Sequence, residues 1–220
     1  MIYAMSDLHG ADDVFRRSLK QIKFTDNDEL YILGDICDRG PNPMNIFKYI
    51  IDKPNIHFIL GNHEDMFLSS YYMDFTTYAY ETRLWLSNGG ETTLNQFLSL
   101  TDAEKEKIIK YLEDAPLSYE INVEGKDFIL VHGSYSEDND RHDILWGRTY
   151  SFHKIPENKT LIFGHTTTRH YNDCRPMKIW KPAKGHMIGI DCGLASSDKT
   201  YGQLGCLCLN DLSEHYKLRK

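Results

Sequence analysis

Asp7 and His9 are separated by one residue, so on an extended segment a carboxylate and an imidazole project from one face and can grip the same cation. Alone this pair is weak evidence, because an Asp-x-His in a loop is commonly a turn beside a solvated imidazole. The pattern strengthens because Asp35, Asn62, His132 and His165 each follow a separate apolar run. In α/β folds the loops beyond the carboxyl ends of strands form the ligand site, so these groups should meet in space. With Asp7 and His9 they make three carboxylate or amide side chains and three imidazoles, a set suited to two first-row ions such as Mn2+, Fe or Zn2+. Two such ions sharing a carboxylate stand about 3.5 to 4 Å apart, an arrangement that activates water and clamps a phosphate. Glycines flank the donors, as in Gly34-Asp35 and Gly61-Asn62, where backbones must approach closely.

The elements that must position these residues are short apolar strands alternating with amphipathic segments, which predicts an α/β fold. A strand over residues 2–5 delivers Asp7 and His9, and residues 12–22 then have helical spacing at Val14, Leu19 and Ile22. Residues 30–33 form a second strand ahead of Asp35. A helix starting near Pro43 carries Ile46, Ile50 and Ile51, and a strand over 56–60 delivers Gly61-Asn62-His63-Glu64. From residue 65 to about residue 113 the texture is mainly helical, with tyrosines over 71–80 and a break at Asn88-Gly89-Gly90. This reads as a helical insertion beside the site, whose tyrosines could pack the insertion or stack on a substrate ring. Strands return at 128–131 before His132 and at 161–163 before His165, with the last ones over 187–190 and 205–209.

A chain of 220 residues, 41% hydrophobic and 26% charged, is expected to form one domain over residues 1–220. No apolar run approaches the roughly 18 residues of a membrane span, and residues 1–5 are too short for a signal peptide, so a cytoplasmic protein without a membrane partner is expected. Five cysteines without metal-ligand spacing read as reduced thiols, with Cys206 and Cys208 facing one side of a strand. A net charge of −7 argues against binding a nucleic-acid polymer.

The polar residues fall into an ordered motif set: Ser6-Asp7-Leu8-His9-Gly10, Gly34-Asp35-Ile36-Cys37-Asp38-Arg39-Gly40, Gly61-Asn62-His63-Glu64, His132-Gly133 and Gly164-His165-Thr166. This set resembles that of the calcineurin-like metallophosphoesterases. Asp38-Arg39-Gly40 and His63-Glu64 are marks of the phosphoprotein phosphatase branch, and Trp146-Gly147-Arg148 resembles its second phosphate-binding arginine segment. Trp85-Leu86-Ser87-Asn88-Gly89-Gly90 and Gly164-His165-Thr166 are similar to bacterial and phage members, the lambda phosphatase type. The resemblance spans residues 2–209 and departs where Ser6 replaces the usual Gly and where Gly147 replaces the phage Asn, which leaves the course of the Arg148 loop open.

The resemblance implies a four-layer sandwich, two mixed β-sheets flanked by helices. Residue by residue, it implies that Asp7, His9 and Asp35 hold one metal, and that Asp35, Asn62, His132 and His165 hold a second, with Mn2+ the expected ion. His63 would protonate the leaving oxygen, with Asp38 orienting it unless that carboxylate merely pairs with Arg39 or another base. Arg39 and Arg148 would bind phosphate oxygens, or else form surface ion pairs, and Asn62 would also face substrate. A hydroxide bridging the metals would attack phosphorus in line, without a phosphoenzyme. Glu64 is expected to support its loop and Asp191 to form structural hydrogen bonds, while His57, His142, His153, His170, His186 and His215 have no expected role. Three functions follow: a serine/threonine protein phosphatase that could also take phosphotyrosine, a symmetrical dinucleoside polyphosphate hydrolase, or a metal-bound scaffold without turnover. The complete donor set with His63, Asp38 and both arginines argues against the scaffold. The first reading is favoured.

Overall fold

The structure is a computed structural model describing residues 1–138, 140–150, 154–171, 175–183, 186–198 and 200–219. Five strands, β1 (Ile2–Met5), β2 (Glu29–Leu33), β3 (Ile56–Ile59), β8 (Gln203–Cys208) and β9 (Glu214–Leu218), form a sheet of order β3-β2-β1-β8-β9. Strands β4 (Ser118–Val123), β5 (Lys126–Val131), β6 (Lys159–Phe163) and β7 (Met187–Gly189) form a second sheet in chain order. Both are mixed: β1, β2 and β3 run parallel, β8 is antiparallel to β1 and β9 antiparallel to β8, whereas β4 opposes the parallel set β5, β6 and β7.

The unbroken apolar runs in β1 and β2 are explained by burial on both faces. Tyr3, Met5, Leu30 and Ile32 face a cluster built with the helices, while Ala4, Tyr31 and Leu33 face Phe128, Leu130 and Ile162 of the other sheet. Helices α1 (Asp12–Gln21), α2 (Pro43–Ile50), α3 (Asn62–Tyr72), α4 (Tyr80–Ser87), α5 (Glu91–Leu98) and α6 (Asp102–Glu113) all contribute side chains to the first cluster. Outside the second sheet, Ile129, Val131, Leu161 and Phe163 are covered by Tyr135, Ile155, Tyr171 and Trp180 from connecting segments. The expected sandwich of two mixed sheets flanked by helices is therefore present, with helical cover concentrated on the first sheet.

Three elements were not foreseen. Strands β4 and β9 are half-buried edge strands rich in polar residues, so their apolar pattern is weak, and α7 (Arg141–Trp146) is only six residues long. Helix α3 also begins earlier than its apolar spacing suggested, so Asn62 and His63 lie in its first turn and not in a preceding loop. Cys206 and Cys208 are both buried toward the helical cluster, as their alternation in β8 requires. Cys174 lies outside the described residues. No helix among the described residues is long and apolar enough to cross a membrane.

The helical stretch is held together by an aromatic cluster, in which Phe97 meets Phe67 edge-on at 5.0 Å between ring centroids and also contacts Tyr71 and Phe75. Phe97 is buried, so Phe97→Ala should cost about 3 to 5 kcal/mol of unfolding free energy through lost contacts and the cavity left behind. Equilibrium denaturation measures this directly, and an unchanged midpoint would show that the cluster does not anchor the helices.

Candidate active site

The carboxyl ends of β1, β2, β5 and β6, with the start of α3 beyond β3, converge on one centre. They reach it through a strained backbone. Asp7 (φ 52°), His9 (40°), Asp35 (55°), Asp38 (72°), Arg39 (63°) and His165 (57°) all have left-handed conformations that side-chain-bearing residues rarely adopt. Such residues cost on the order of 1 to 3 kcal/mol each and persist only where surrounding contacts fix them.

One of those contacts is the carboxylate of Glu64. Its Oε1 accepts the amides of Ile36 and Cys37 at 2.8 Å each, and its Oε2 accepts those of Asp35 at 2.9 Å and Gly61 at 3.1 Å. Glu64 is fully buried; burial raises its pKa, while the Cys37 and Asp35 amides pull it back toward the ionised form. The loops also bind each other directly, with the Asp7 amide donating to Gly34 O at 3.2 Å and the His9 amide to Asp35 O at 2.8 Å. Gly61 is required here because a Cβ on it would lie 2.4 Å from Asp35 N.

The side chains held this way turn acceptors toward one another. His9 Nδ1 is 2.9 Å from the Cys37 carbonyl and His132 Nδ1 is 2.8 Å from the Leu33 carbonyl. A carbonyl only accepts, so each Nδ1 carries the proton and each Nε2 presents a lone pair. His132 Nε2 then lies 2.9 Å from Asn62 Oδ1 and 3.3 Å from Asp35 Oδ1, acceptors facing acceptors. His165 Nδ1 approaches the same Asn62 oxygen at 3.1 Å. Asp35 faces both ways, because its Oδ2 lies 3.6 Å from His9 Nε2. Asp7 Oδ1 completes that side at 4.0 Å from His9 Nε2, while its Oδ2 accepts the His165 amide at 3.0 Å.

The electrostatics follow from this crowding. Asp7 and Asp35 are pushed well above the usual carboxylate range, first by burial and then by neighbouring carboxylates, Asp191 and Asp35 for the former and Glu64 for the latter. Burial, reinforced by nearby cationic groups, holds His9 well below the ordinary imidazole value and brings His165 down to about 3. Each shift has the sign that a cation bound between these groups would oppose or exploit: it would favour ionised carboxylates and neutral imidazoles.

Beside the acceptor cluster lies a proton-bearing pair. His63 Nδ1 is 2.6 Å from Asp38 Oδ2, which also accepts from Trp85 Nε1 at 2.9 Å, while Thr93 Oγ1 donates to Asp38 Oδ1 at 2.6 Å. Arg39 Nη2 is 2.7 Å from His63 Nε2 and its Nη1 is 2.9 Å from His9 Nε2. A guanidinium only donates, so His63 accepts at Nε2 and carries its proton on Nδ1, toward Asp38. Burial lifts Asp38 to about 7 against the pull of Thr93, Trp85 and Arg39, and burial with Arg39 and His132 holds His63 down.

A cavity of about 340 Å3 opens over the centre, with Asp7, Asp35, Asn62, His63 and His165 in its wall and Arg39 and Arg148 among the groups around it. All ten residues singled out for metal, proton or phosphate roles therefore converge on one place, with His9 and His132 buried beneath. Arg39 differs in detail from expectation: it pairs with His9 and His63, whose lone pairs match its two N–H groups. Several contributors were not anticipated. Ser6 donates to the Asp7 carboxylate, Trp85 and Thr93 hold Asp38, and His170, set aside as having no role, lines the cavity. The spacing of Trp85 and Thr93 from Asp38 gives no signal in a single sequence. Asp191 accepts the Gly193 amide at 2.8 Å, as expected of a structural carboxylate, but it also lines the cavity. His153 lies outside the described residues.

The family model for calcineurin-like phosphoesterases matches residues 1–173 of the chain. The protein belongs to this family. Among its curated relatives is a symmetrical bis(5'-nucleosyl)-tetraphosphatase of Acidovorax ebreus, 30% identical over 133 residues, a match covering 60% of this chain and 43% of that protein. The match thus spans less than half of the relative's length. Among solved structures, a protein suggested to be a diadenosine tetraphosphatase superposes with a TM-score of 0.68 at 16% identity, covering 100% of this chain and 94% of that one. A protein serine/threonine phosphatase of Saccharomyces cerevisiae superposes with a TM-score of 0.62 at 14% identity, covering 100% of this chain and 80% of that one. At these identities the structures establish the fold.

Calcineurin-like phosphoesterases use divalent metals, and the donor set here fits them. Asp35, His132 and His165 form one group of mutually close ligand atoms, and His9, Asp35 and His63 form another. The second group contains His63 where Asp7 was expected, but the Nδ1 of His63 is committed to Asp38 and its Nε2 to Arg39. In this family member Glu64 shapes the centre without turning an oxygen toward it. Glu64→Gln replaces two of its acceptor sites with an N–H2 group that must face amide donors, so it should lower unfolding free energy by about 1 to 3 kcal/mol. Bound metal should fall as well, since three of the four amides belong to the loop carrying Asp35. Denaturation with metal analysis checks both, and a variant with unchanged stability and metal content would deny Glu64 this role.

Proposed function

We propose that the protein hydrolyses phosphate esters, with His63 and Asp38 acting on the leaving oxygen and Asp7, His9, Asp35, Asn62, His132 and His165 holding two divalent ions. The observation that carries this reading is the meeting of an acceptor-only cluster with a buried His63–Asp38 pair at 2.6 Å. Two ions bound in that cluster would supply activated water and a clamp on phosphate oxygens. Asp35 suits a bridging position because its two oxygens face opposite imidazoles, His132 and His9. Mn2+ is the proposed ion, since imidazole-rich donors favour it over Mg2+, which keeps its water.

The protein's own groups supply the rest. Arg39 carries two N–H groups directed into the centre, and the fork that spans two imidazoles also matches two phosphate oxygens. When Arg39 engages phosphate, His63 Nε2 is released to carry a proton toward the leaving oxygen. Asp38, buried and fixed by Trp85 and Thr93, keeps the imidazole oriented and stabilises its charged form. Arg148, at the cavity rim, adds positive charge beside His165.

A seryl or threonyl alkoxide is the leaving group that most needs this proton, so phosphoserine and phosphothreonine in proteins remain the favoured substrates, with phosphotyrosine a further candidate. The curated relatives favour a second reading, symmetrical cleavage of a dinucleoside tetraphosphate. A cytoplasmic location and a single domain over residues 1–220 belong to the same proposal.

Asp35→Asn should disturb both metal positions and His9→Ala only one. After dialysis against Mn2+, His9→Ala is expected to retain about one ion per chain and Asp35→Asn clearly less. Equal metal content in the two variants would remove the bridge. His63→Asn should slow phosphoserine hydrolysis by about 100- to 10,000-fold, and hydrolysis of p-nitrophenyl phosphate distinctly less, because nitrophenolate departs without a proton. The comparison requires full metal content in the variant and conditions in which chemistry limits both rates. Equal losses on the two substrates would reassign His63 to phosphate binding.

A further inference from the structure

Arg148 is an exposed side chain on a segment that is neither helix nor strand, yet a phosphate role needs its guanidinium in one place. A long side chain with many rotamers cannot supply that precision by itself, so the backbone beneath it must. On the amino-terminal side the segment grows out of α7. The Gly147 amide closes that helix on Asp143 O at 2.9 Å, and the loop after His132 is laid against the same turn, with the Gly133 amide donating to Ile144 O at 2.7 Å and the Ser134 amide to Asp143 O at 3.1 Å. The fit there is tight: a Cβ on Gly133 would lie 2.9 Å from Gly147 O, and one on Gly147 would lie 2.9 Å from Ser134 Cβ.

On the carboxyl-terminal side the anchor is Thr149, which is buried. Its Oγ1 donates to Gly133 O at 3.1 Å, and its carbonyl accepts from the hydroxyl of Tyr171. Arg148 is therefore exposed between two fixed neighbours. Tyr171 comes from a different part of the chain, just past the short 3-10 turn Thr168–His170 that follows β6. Its ring is set by stacking on Trp180, with 4.2 Å between centroids and 20° between planes, and by an edge-on contact with Phe163 at 6.0 Å. Burial lifts the phenol to about 12, with Arg148 close enough to oppose the rise, so the hydroxyl keeps its proton at neutral pH and donates to a carbonyl that can only accept. Tyr171 itself is not in the wall of the catalytic cavity, so whatever it does there it does through this segment.

We infer that Tyr171 and Thr149 are a positioning pair for the phosphate site: their hydrogen bonds fix the chain on the far side of Arg148 and so set where that guanidinium meets the substrate's phosphate. The inference rests on the phosphoesterase reading and goes beyond it, giving a role to two residues outside the motifs. Loss of either bond frees the backbone after Arg148, and the guanidinium must then be ordered when phosphate binds. Phosphate oxygens are held in the substrate and in the transition state alike, so the loss falls on KM and leaves kcat nearly unchanged.

The test places Tyr171→Phe and Thr149→Val in the full-length protein, each alone and combined with Arg148→Ala, all loaded with Mn2+. Tyr171→Phe keeps the ring and its stack on Trp180, and Thr149→Val keeps the shape of the side chain, so each removes one hydrogen bond. On p-nitrophenyl phosphate and on a phosphoserine peptide, either substitution alone should raise KM by about 3- to 10-fold, with kcat changed by less than about twofold. In the Arg148→Ala background the same substitutions should change KM by less than about 1.5-fold, because a group that acts through Arg148 has nothing left to position. Equilibrium dialysis of radiolabelled inorganic phosphate against the six proteins gives the same comparison without turnover. Equal factors in the two backgrounds would make the pair merely structural and overturn the inference. An unchanged KM, a fall in bound metal, or an Arg148→Ala variant that binds phosphate as wild type does would overturn it too. The two readings fail separately. A metal-loaded wild type that hydrolyses neither substrate sinks the phosphoesterase reading, whereas an active wild type matched by Tyr171→Phe and Thr149→Val sinks only the positioning pair.

Discussion

The buried Glu64 carboxylate, accepting four backbone amides, is the interaction on which the rest of the centre depends. Amides at left-handed turns have no regular ladder to join, and unmet amides in a dry interior carry a large penalty. Glu64 meets that need at the Asp35 loop and at Gly61 with one side chain projecting from α3. It thereby ties the loop after β2 to the helix after β3. The two loops bring Asp35, Asp38 and Arg39 against Asn62 and His63, so most of the chemistry lies on the two segments that this carboxylate joins.

Arg39 links the two halves of the centre. Its guanidinium spans His9, on the side of Asp7 and Asp35, and His63, the member of the acid pair. A single donor fork thus satisfies one imidazole suited to a metal and one suited to a proton. Positive charge placed there disfavours protonation of both rings, which agrees with the direction in which each is shifted. The same charge would favour an incoming phosphate, so the proposed anion binding and proton delivery would share one side chain.

Much of this was legible in the sequence because the donors follow short apolar strands and lie next to glycines. Asp7, Asp35, Asn62, His132 and His165 could be placed in one region because each follows an apolar strand, and the structure brings them together. The supports of Asp38 could not be placed that way. Trp85 and Thr93 come from helices far along the chain; Trp85 opens a run that resembles the family's bacterial and phage members, but nothing in local spacing ties either residue to Asp38. Ser6 was visible only as a departure from the family's glycine, and its hydroxyl pairs with Asp7. Strands β4 and β9 escaped notice because edge strands need bury only one side, and their polar residues mask the period. His170 lies four residues past the Gly164-His165-Thr166 motif without belonging to it, and only the course of the chain after β6 brings it to the cavity.

The setting of Asp38 has a consequence for how such a protein can diverge. The indole and hydroxyl that hold this carboxylate come from α4 and α5, within the helical stretch rather than the two sheets. Gly90, which joins those helices, has no room for a side chain because a Cβ would lie 2.5 Å from the Trp85 ring. Trp85, Gly90 and Thr93 therefore form an inheritance unit. A lineage that exchanges its helices to recognise new partners must carry these three along, or His63 is left facing an unanchored carboxylate while the Asp and His residues beyond the strands look untouched.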